Sequence, residues 1–154
     1  MTIQYWLMKS EPETFSIEDL ERCPKKTTGW EGVRNYQARN FMRDTMKVGD
    51  QVLFYHSSCK VPGVVGIAEV VKESYPDDTA WDKNSEYYDP KSTPENPRWY
   101  QVDIQLKKIF SKIITLTEIK KDPKLQEMKV VQKGQRLSIQ PVTRKDFEHI
   151  QALV

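Results

Sequence analysis

Rings and short polar side chains recur together along this chain in a way that could hold a flat heterocycle. Tyr5-Trp6 lead into Lys9-Ser10-Glu11, Trp30 precedes Arg34-Asn35-Tyr36, and Phe54-Tyr55-His56 run into Ser57. Trp81, Tyr87-Tyr88 and Trp99-Tyr100 add further rings in the second half. A π-system stacked between such rings gains roughly 1–3 kcal/mol per base. Amides, hydroxyls and carboxylates at the rim can then read its edge. Trp30 stands in Gly29-Trp30-Glu31-Gly32, a loop flanked by glycines, where a large ring reads as a ligand wall. Trp6, Phe54 and Trp99 read as core.

Other chemistries find little support. His56, His149, Cys23 and Cys59 supply no ligand pair at helical spacing, so no metal is expected. His56 and Ser57 are neighbours on a predicted strand and point to opposite faces, so they cannot form a nucleophile–base dyad. No GxSxG or GxxxxGK[ST] occurs, and Gly63-Val-Val-Gly66 lacks the third glycine and following helix of a dinucleotide fingerprint. No catalytic residue and no cofactor is therefore expected. Two competing readings keep named residues: an enzyme acting on a modified nucleotide would use Glu11 or His56 as general acid or base, and a protein-interaction module would present the segment from Pro76 to Pro97.

A chain of 154 residues is expected to be one domain over 1–154, large enough to bury about 70% of its unfolded surface. Apolar residues at 38% and charged residues at 30% suit a soluble globular protein. No stretch reaches the roughly 20 apolar residues of a membrane span, and the opening residues lack a secretory pattern, which predicts a cytoplasmic protein without a membrane partner. The net charge of +2 is too small for a protein that coats nucleic acid, and it predicts modest affinity and a shallow salt dependence for unmodified duplex. The charge is uneven: nine basic residues against three acidic ones lie between Lys107 and Arg136, while six acidic residues against two lysines lie between Asp77 and Glu95.

The elements that must position these residues follow from periodicity and punctuation. Ile3 to Met8 predicts a strand that Pro12 ends. Ser16 with Asp19 forms a capping box for a helix through Arg22. Asn35 caps a helix across Tyr36 to Met46. Gln51 to Ser57 and Val64 to Tyr75 are strands at hairpin spacing, and Arg98 to Phe110 is another. Asp122-Pro123 starts a brief helix through Met128, and Thr143 caps the last helix. Pro76 to Pro97 is a long irregular connection, of the kind that is usually functional or mobile. The sum is an α+β domain with a strongly bent sheet or small barrel.

Several of these segments also carry a resemblance. Tyr5-Trp-Leu-Met-Lys-Ser-Glu-Pro12, Trp30-Glu-Gly-Val-Arg-Asn-Tyr-Gln-Ala-Arg-Asn40 and Gly49-Asp-Gln-Val-Leu-Phe-Tyr-His-Ser57 resemble successive motifs of the EVE domain family. Tyr75-Pro-Asp77, Pro97-Arg-Trp-Tyr-Gln-Val-Asp103 and Leu137-Ser-Ile-Gln-Pro-Val142 continue it in order across essentially the whole chain. The resemblance implies a PUA-like fold, a small curved β-barrel with flanking short helices, of the bacterial single-domain type. It also implies a non-catalytic module that binds DNA or RNA carrying a modified base, especially methylated cytosine, in an aromatic cage. Carried over by position, Lys9, Ser10 and Glu11 line the pocket after the first strand, and Trp30 stacks on the base. Arg34, Asn35 and Tyr36 stand beside it, with Arg34 holding a phosphate. Phe54, Tyr55, His56 and Ser57 form the pocket floor, Ser138 lies on a late strand near it, and Trp81, Tyr87 or Tyr88 is the candidate lid.

Overall fold

The computed structural model describes residues 2–134 and 136–154, so Met1 at the head of the first segment and Gln135 in the lysine-rich run lie outside the described residues. Six strands form one mixed sheet: β1 Tyr5–Ser10, β2 Thr27–Gly29, β3 Gln51–His56, β4 Gly63–Pro76, β5 Tyr100–Thr115 and β6 Ile139–Val142. Their order across the sheet is β2-β5-β4-β3-β1-β6. Neighbours run antiparallel except β1 and β3, which pair in parallel from Tyr5 opposite Gln51 to Ser10 opposite His56. The α+β class expected from the sequence is observed. The barrel is not: β2 and β6 are the outer strands and no described pairing joins them, because β2 is only three residues long.

Four short helices cover the sheet: α1 Ile17–Arg22, α2 Tyr36–Asn40, α3 Leu116–Lys121 and α4 Arg144–Ala152. Successive side chains of a strand point to opposite faces, and β1 and β3 show why the sheet carries a core on each side. Trp6 and Met8 join Val52 and Phe54 under α1 and α2, with Ile17, Leu20, Ala38 and Met42. Leu7, Leu53 and Tyr55 face the other way, where Ile119 of α3 and Phe147 and Ile150 of α4 pack. The long strands β4 and β5 serve both sides, and the register shifts between them let the sheet bend.

Most predicted boundaries hold to within two or three residues. The helix after Asn35 is shorter: α2 ends at Asn40 and one π-type turn, Phe41–Thr45, completes it. The helix expected from Asp122 to Met128 is absent, and that segment is a series of turns. The helix lies just before it, as α3. Thr115 and Glu118 close a reciprocal capping box there, and the backbone turns away at Asp122. Capping at a residue pair outcompeted the proline cue.

Candidate nucleic-acid interface

The cleft of about 610 Å³ that receives Lys9, Ser10, Glu11, Trp30, Arg34, Tyr87 and Ser138 of the predicted residues opens on the α1/α2 side, where β1 ends. Lys9 and Ser10 end β1, and the turn after Pro12 brings Glu11, Thr14 and Phe15 to one wall. The amides of Thr14 and Phe15 both donate to the Glu11 carbonyl, at 2.9 and 2.8 Å, and the Ser10 hydroxyl donates to the Phe15 carbonyl at 2.5 Å. The hydroxyl proton of Ser10 is thus committed, and its oxygen retains only acceptor capacity. Ser138 is brought against Lys9 by an amide–carbonyl bond of 2.8 Å.

Trp30 forms the inner wall and is also core. It is 8% exposed, meets Phe54 edge-to-face at 5.5 Å, and is held by donation of its amide to the Val102 carbonyl at 2.8 Å. The ring is therefore shared between cleft and core rather than given to a ligand alone. Gly32, at φ +82°, takes a left-handed conformation that favours glycine. A Cβ there would stand 2.6 Å from Cζ of Tyr87, so the Tyr87 ring lies directly on the Gly32 backbone. Of the three candidate lid rings, only Tyr87 lines the cleft. Tyr88 is an exposed ring away from it, and Trp81 turns inward with its indole N–H buried and without a described partner.

Arg34 departs most from expectation. Its Nε and Nη2 donate to the Tyr87 carbonyl at 3.1 and 2.7 Å, Nη1 to Asp77 Oδ2 and the Val33 carbonyl at 3.1 and 2.9 Å, and Nη2 to Thr79 Oγ1 at 3.3 Å. The guanidinium is committed to the loop that carries Tyr87, so it does not present a free fork to a phosphate. Asp77 is fully buried and also accepts from the Gly32 amide at 2.8 Å. The segment from Pro76 to Pro97 is thereby tied to the cleft. Trp99 Nε1 adds a bond to Asp89 at 2.7 Å, which holds that carboxyl below its usual range.

The remaining predicted residues lie elsewhere. Asn35 caps α2 by accepting from the Ala38 amide at 3.0 Å, and Tyr36 stacks outside the cleft on Trp99 at 4.9 Å. Phe54 is wholly buried beneath Trp30. His56 is on the cleft side, but its Nε2 accepts from the Ile17 amide at 3.1 Å, so its lone pair satisfies the first turn of α1. Burial pushes the imidazole below its ordinary value of 6.5, and the Glu18 charge opposes that only in part. Tyr55 and Ser57 point to the opposite face, as strand alternation requires, so they cannot share a floor with Phe54 and His56. The expected four-residue floor is therefore not formed: none of the four lines the cleft, Phe54 and His56 being buried on its side of the sheet and Tyr55 and Ser57 lining the opposite groove.

Sequence reasoning also missed lining residues. Phe15, Thr28, Glu31, Val33 and Glu86 line the cleft. Glu31 follows Trp30 in the singled-out loop, which was signal enough. Its carboxyl is pushed up, first by desolvation and then by the charges of Asp77 and Asp78, against the pull of Arg34. Nothing in the spacing of Glu86 identifies it. Among the described residues no group of three His, Cys, Asp or Glu gathers as a metal site, and no helix is long and apolar enough to cross a membrane.

Fold and site together define a small α+β binding domain whose ring-walled cleft is rimmed by carboxylates and hydroxyls. The chain belongs to the EVE domain family, whose model matches residues 4–153. It is 47% identical to human thymocyte nuclear protein 1 over 166 residues, covering 97% of this chain and 73% of that protein. A crystal structure of a Pseudomonas syringae protein superposes with a TM-score of 0.91 at 50% identity, covering 97% of this chain and 98% of that one. The human THYN1 protein in complex with 5-methylcytosine-containing DNA superposes with a TM-score of 0.90 at 47% identity, covering 97% and 96%.

Proposed function

We propose that this chain is a non-catalytic reader that takes a methylated cytosine of a nucleic-acid strand into the cleft between Trp30, Phe15 and Tyr87. The observation that carries the reading is the human THYN1 complex with 5-methylcytosine-containing DNA, a structure to which this chain is similar over 97% of its length. The cleft's chemistry supports it. Cytosine presents an N4 amino donor where thymine presents an O4 acceptor, and Glu11, Glu31 and Glu86 make this cleft rich in acceptors. A buried methyl adds about 0.8 kcal/mol, and a fitted apolar wall raises discrimination to about 1–3 kcal/mol. The base must leave its stack to enter, at a cost of a few kcal/mol that is smallest in a single strand. We assign the bent, open sheet to the PUA-like class on the order of its motifs.

The test is intrinsic tryptophan fluorescence and calorimetry with 5-methyl-2′-deoxycytidine, 2′-deoxycytidine and short single strands containing each. The methylated ligand should quench wild-type fluorescence saturably. Trp30→Phe should lose the quench and keep the heat of binding. A folded wild type that responds to no methylated ligand by either readout refutes the reading.

A further inference from the structure

A second groove, of about 850 Å³, lies on the α3/α4 side of the sheet and shares one residue with the cleft: Lys9, at the end of β1, lines both. The two differ in charge. The cleft carries Glu11, Glu31 and Glu86 against Lys9 and Arg34, and Arg34 is already paired with Asp77. The groove carries Lys9, Lys120 and Lys133 with no acidic residue in its lining, and none of these lysines is in an ion pair among the described residues. Ser57, Ser58 and Gln132 add neutral donors. A polyanion is disfavoured over the cleft rim and favoured in the groove, while a neutral base is favoured in the cleft.

We infer that the groove from Lys9 through Ser57 to Lys120 and Lys133 holds the phosphodiester backbone of the strand whose base occupies the cleft. This rests on the reading of the cleft as a base pocket and assigns the phosphates a place outside it. Lys9 is the hinge of the arrangement: it stands where base and backbone part, on the strand end common to both faces. Partial burial lowers its pKa and no described carboxylate compensates it, so an arriving phosphate restores what desolvation removed. The lysine-rich run noted in the sequence thereby acquires a site, through Lys120 and Lys133.

The experiment is a salt titration of a short single-stranded DNA containing 5-methylcytosine, with wild type, Lys120→Gln/Lys133→Gln and Tyr87→Ala, alongside calorimetry with the nucleoside 5-methyl-2′-deoxycytidine. Both lysines are exposed, so the double variant should fold. Loss of two phosphate contacts should lower the slope of log K against log salt by about 1.4 and weaken the oligonucleotide about tenfold at low salt. Nucleoside affinity should be unchanged. An unchanged slope and affinity for the oligonucleotide overturns the inference, as does an equal weakening of oligonucleotide and nucleoside without a slope change. Tyr87→Ala should weaken both ligands without changing the slope. If it alters neither, the base pocket is misplaced, while the groove is judged on its slope alone.

Discussion

Arg34 Nη2 donates to the backbone carbonyl of Tyr87 at 2.7 Å, which fastens a loop 53 residues downstream to the rim of the cleft. The same guanidinium neutralises buried Asp77, and Asp77 in turn fixes the Gly32 amide on which the Tyr87 ring lies. One side chain therefore positions both halves of the rim without touching a ligand itself.

Arg34→Ala strands a buried carboxylate and should cost about 3 kcal/mol, or a melting temperature lowered by about 9 °C for a domain of this size. Arg34→Lys should recover little, because an ammonium cannot span Asp77, Thr79 and the Tyr87 carbonyl together. Thermal unfolding of both variants checks the stability; an Arg34→Lys protein as stable as wild type contradicts the positioning role.

Tyr87→Ala should weaken binding of a methylated base by about 1–3 kcal/mol if the ring stacks on it, and Tyr87→Phe should bind like wild type. Tyr88→Ala, at an exposed ring outside the cleft, is the matched control. Calorimetric titration distinguishes them.

Asp50→Ala tests a device that the sequence conceals. This nearly fully buried carboxylate accepts from Trp6 Nε1 at 3.0 Å, the Gln4 amide at 3.1 Å and the Lys47 amide at 3.0 Å. Leaving those donors unsatisfied should cost about 3 kcal/mol, measured by urea unfolding; a loss below about 1 kcal/mol would show that water replaces the carboxylate.

His56 gives the fold a pH dependence. Its native pKa is depressed, so the unfolded chain binds the proton more readily; the stabilisation is complete above pH 6.5 and is lost as pH falls through the native value. The slope from this group cannot exceed about 1.4 kcal/mol per pH unit. Denaturation between pH 7 and 5 should show a fall in stability that His56→Gln flattens, whereas a variant with the wild-type slope would place the titrating group elsewhere.

Local features of the fold were legible wherever the cause was local. Ser16, Asn35 and Thr143 announce their helices because each cap binds an amide three residues away. α3 had an equally local signature in Thr115 and Glu118, which lay beside the more conspicuous Asp122-Pro123. The site was legible by segment and less so by residue. Ser10, Glu11, Trp30 and Ser138 do meet, but motif matching assigned whole runs to one surface, and the two-residue period of β3 sends Tyr55 and Ser57 behind the sheet. The partners of Arg34 could not be read at all. Asp77, Thr79 and Tyr87 are distant in sequence, and only the folded loop shows that a cation suited to phosphate is already engaged.

The amide of Lys9 is bonded to the carbonyl of Ser138, and β1 lies between β3 and β6. During synthesis β1 must therefore wait, with one edge unpaired, until Ile139–Val142 has left the ribosome. Contacts of such sequence separation form late and slowly, and a nascent chain stopped short of β6 lacks one lip of the cleft. Ligand capture is in this sense tied to the last strand: a product truncated before it would lose Leu137 and Ile139 from the α1/α2 core and present an open strand edge prone to self-association.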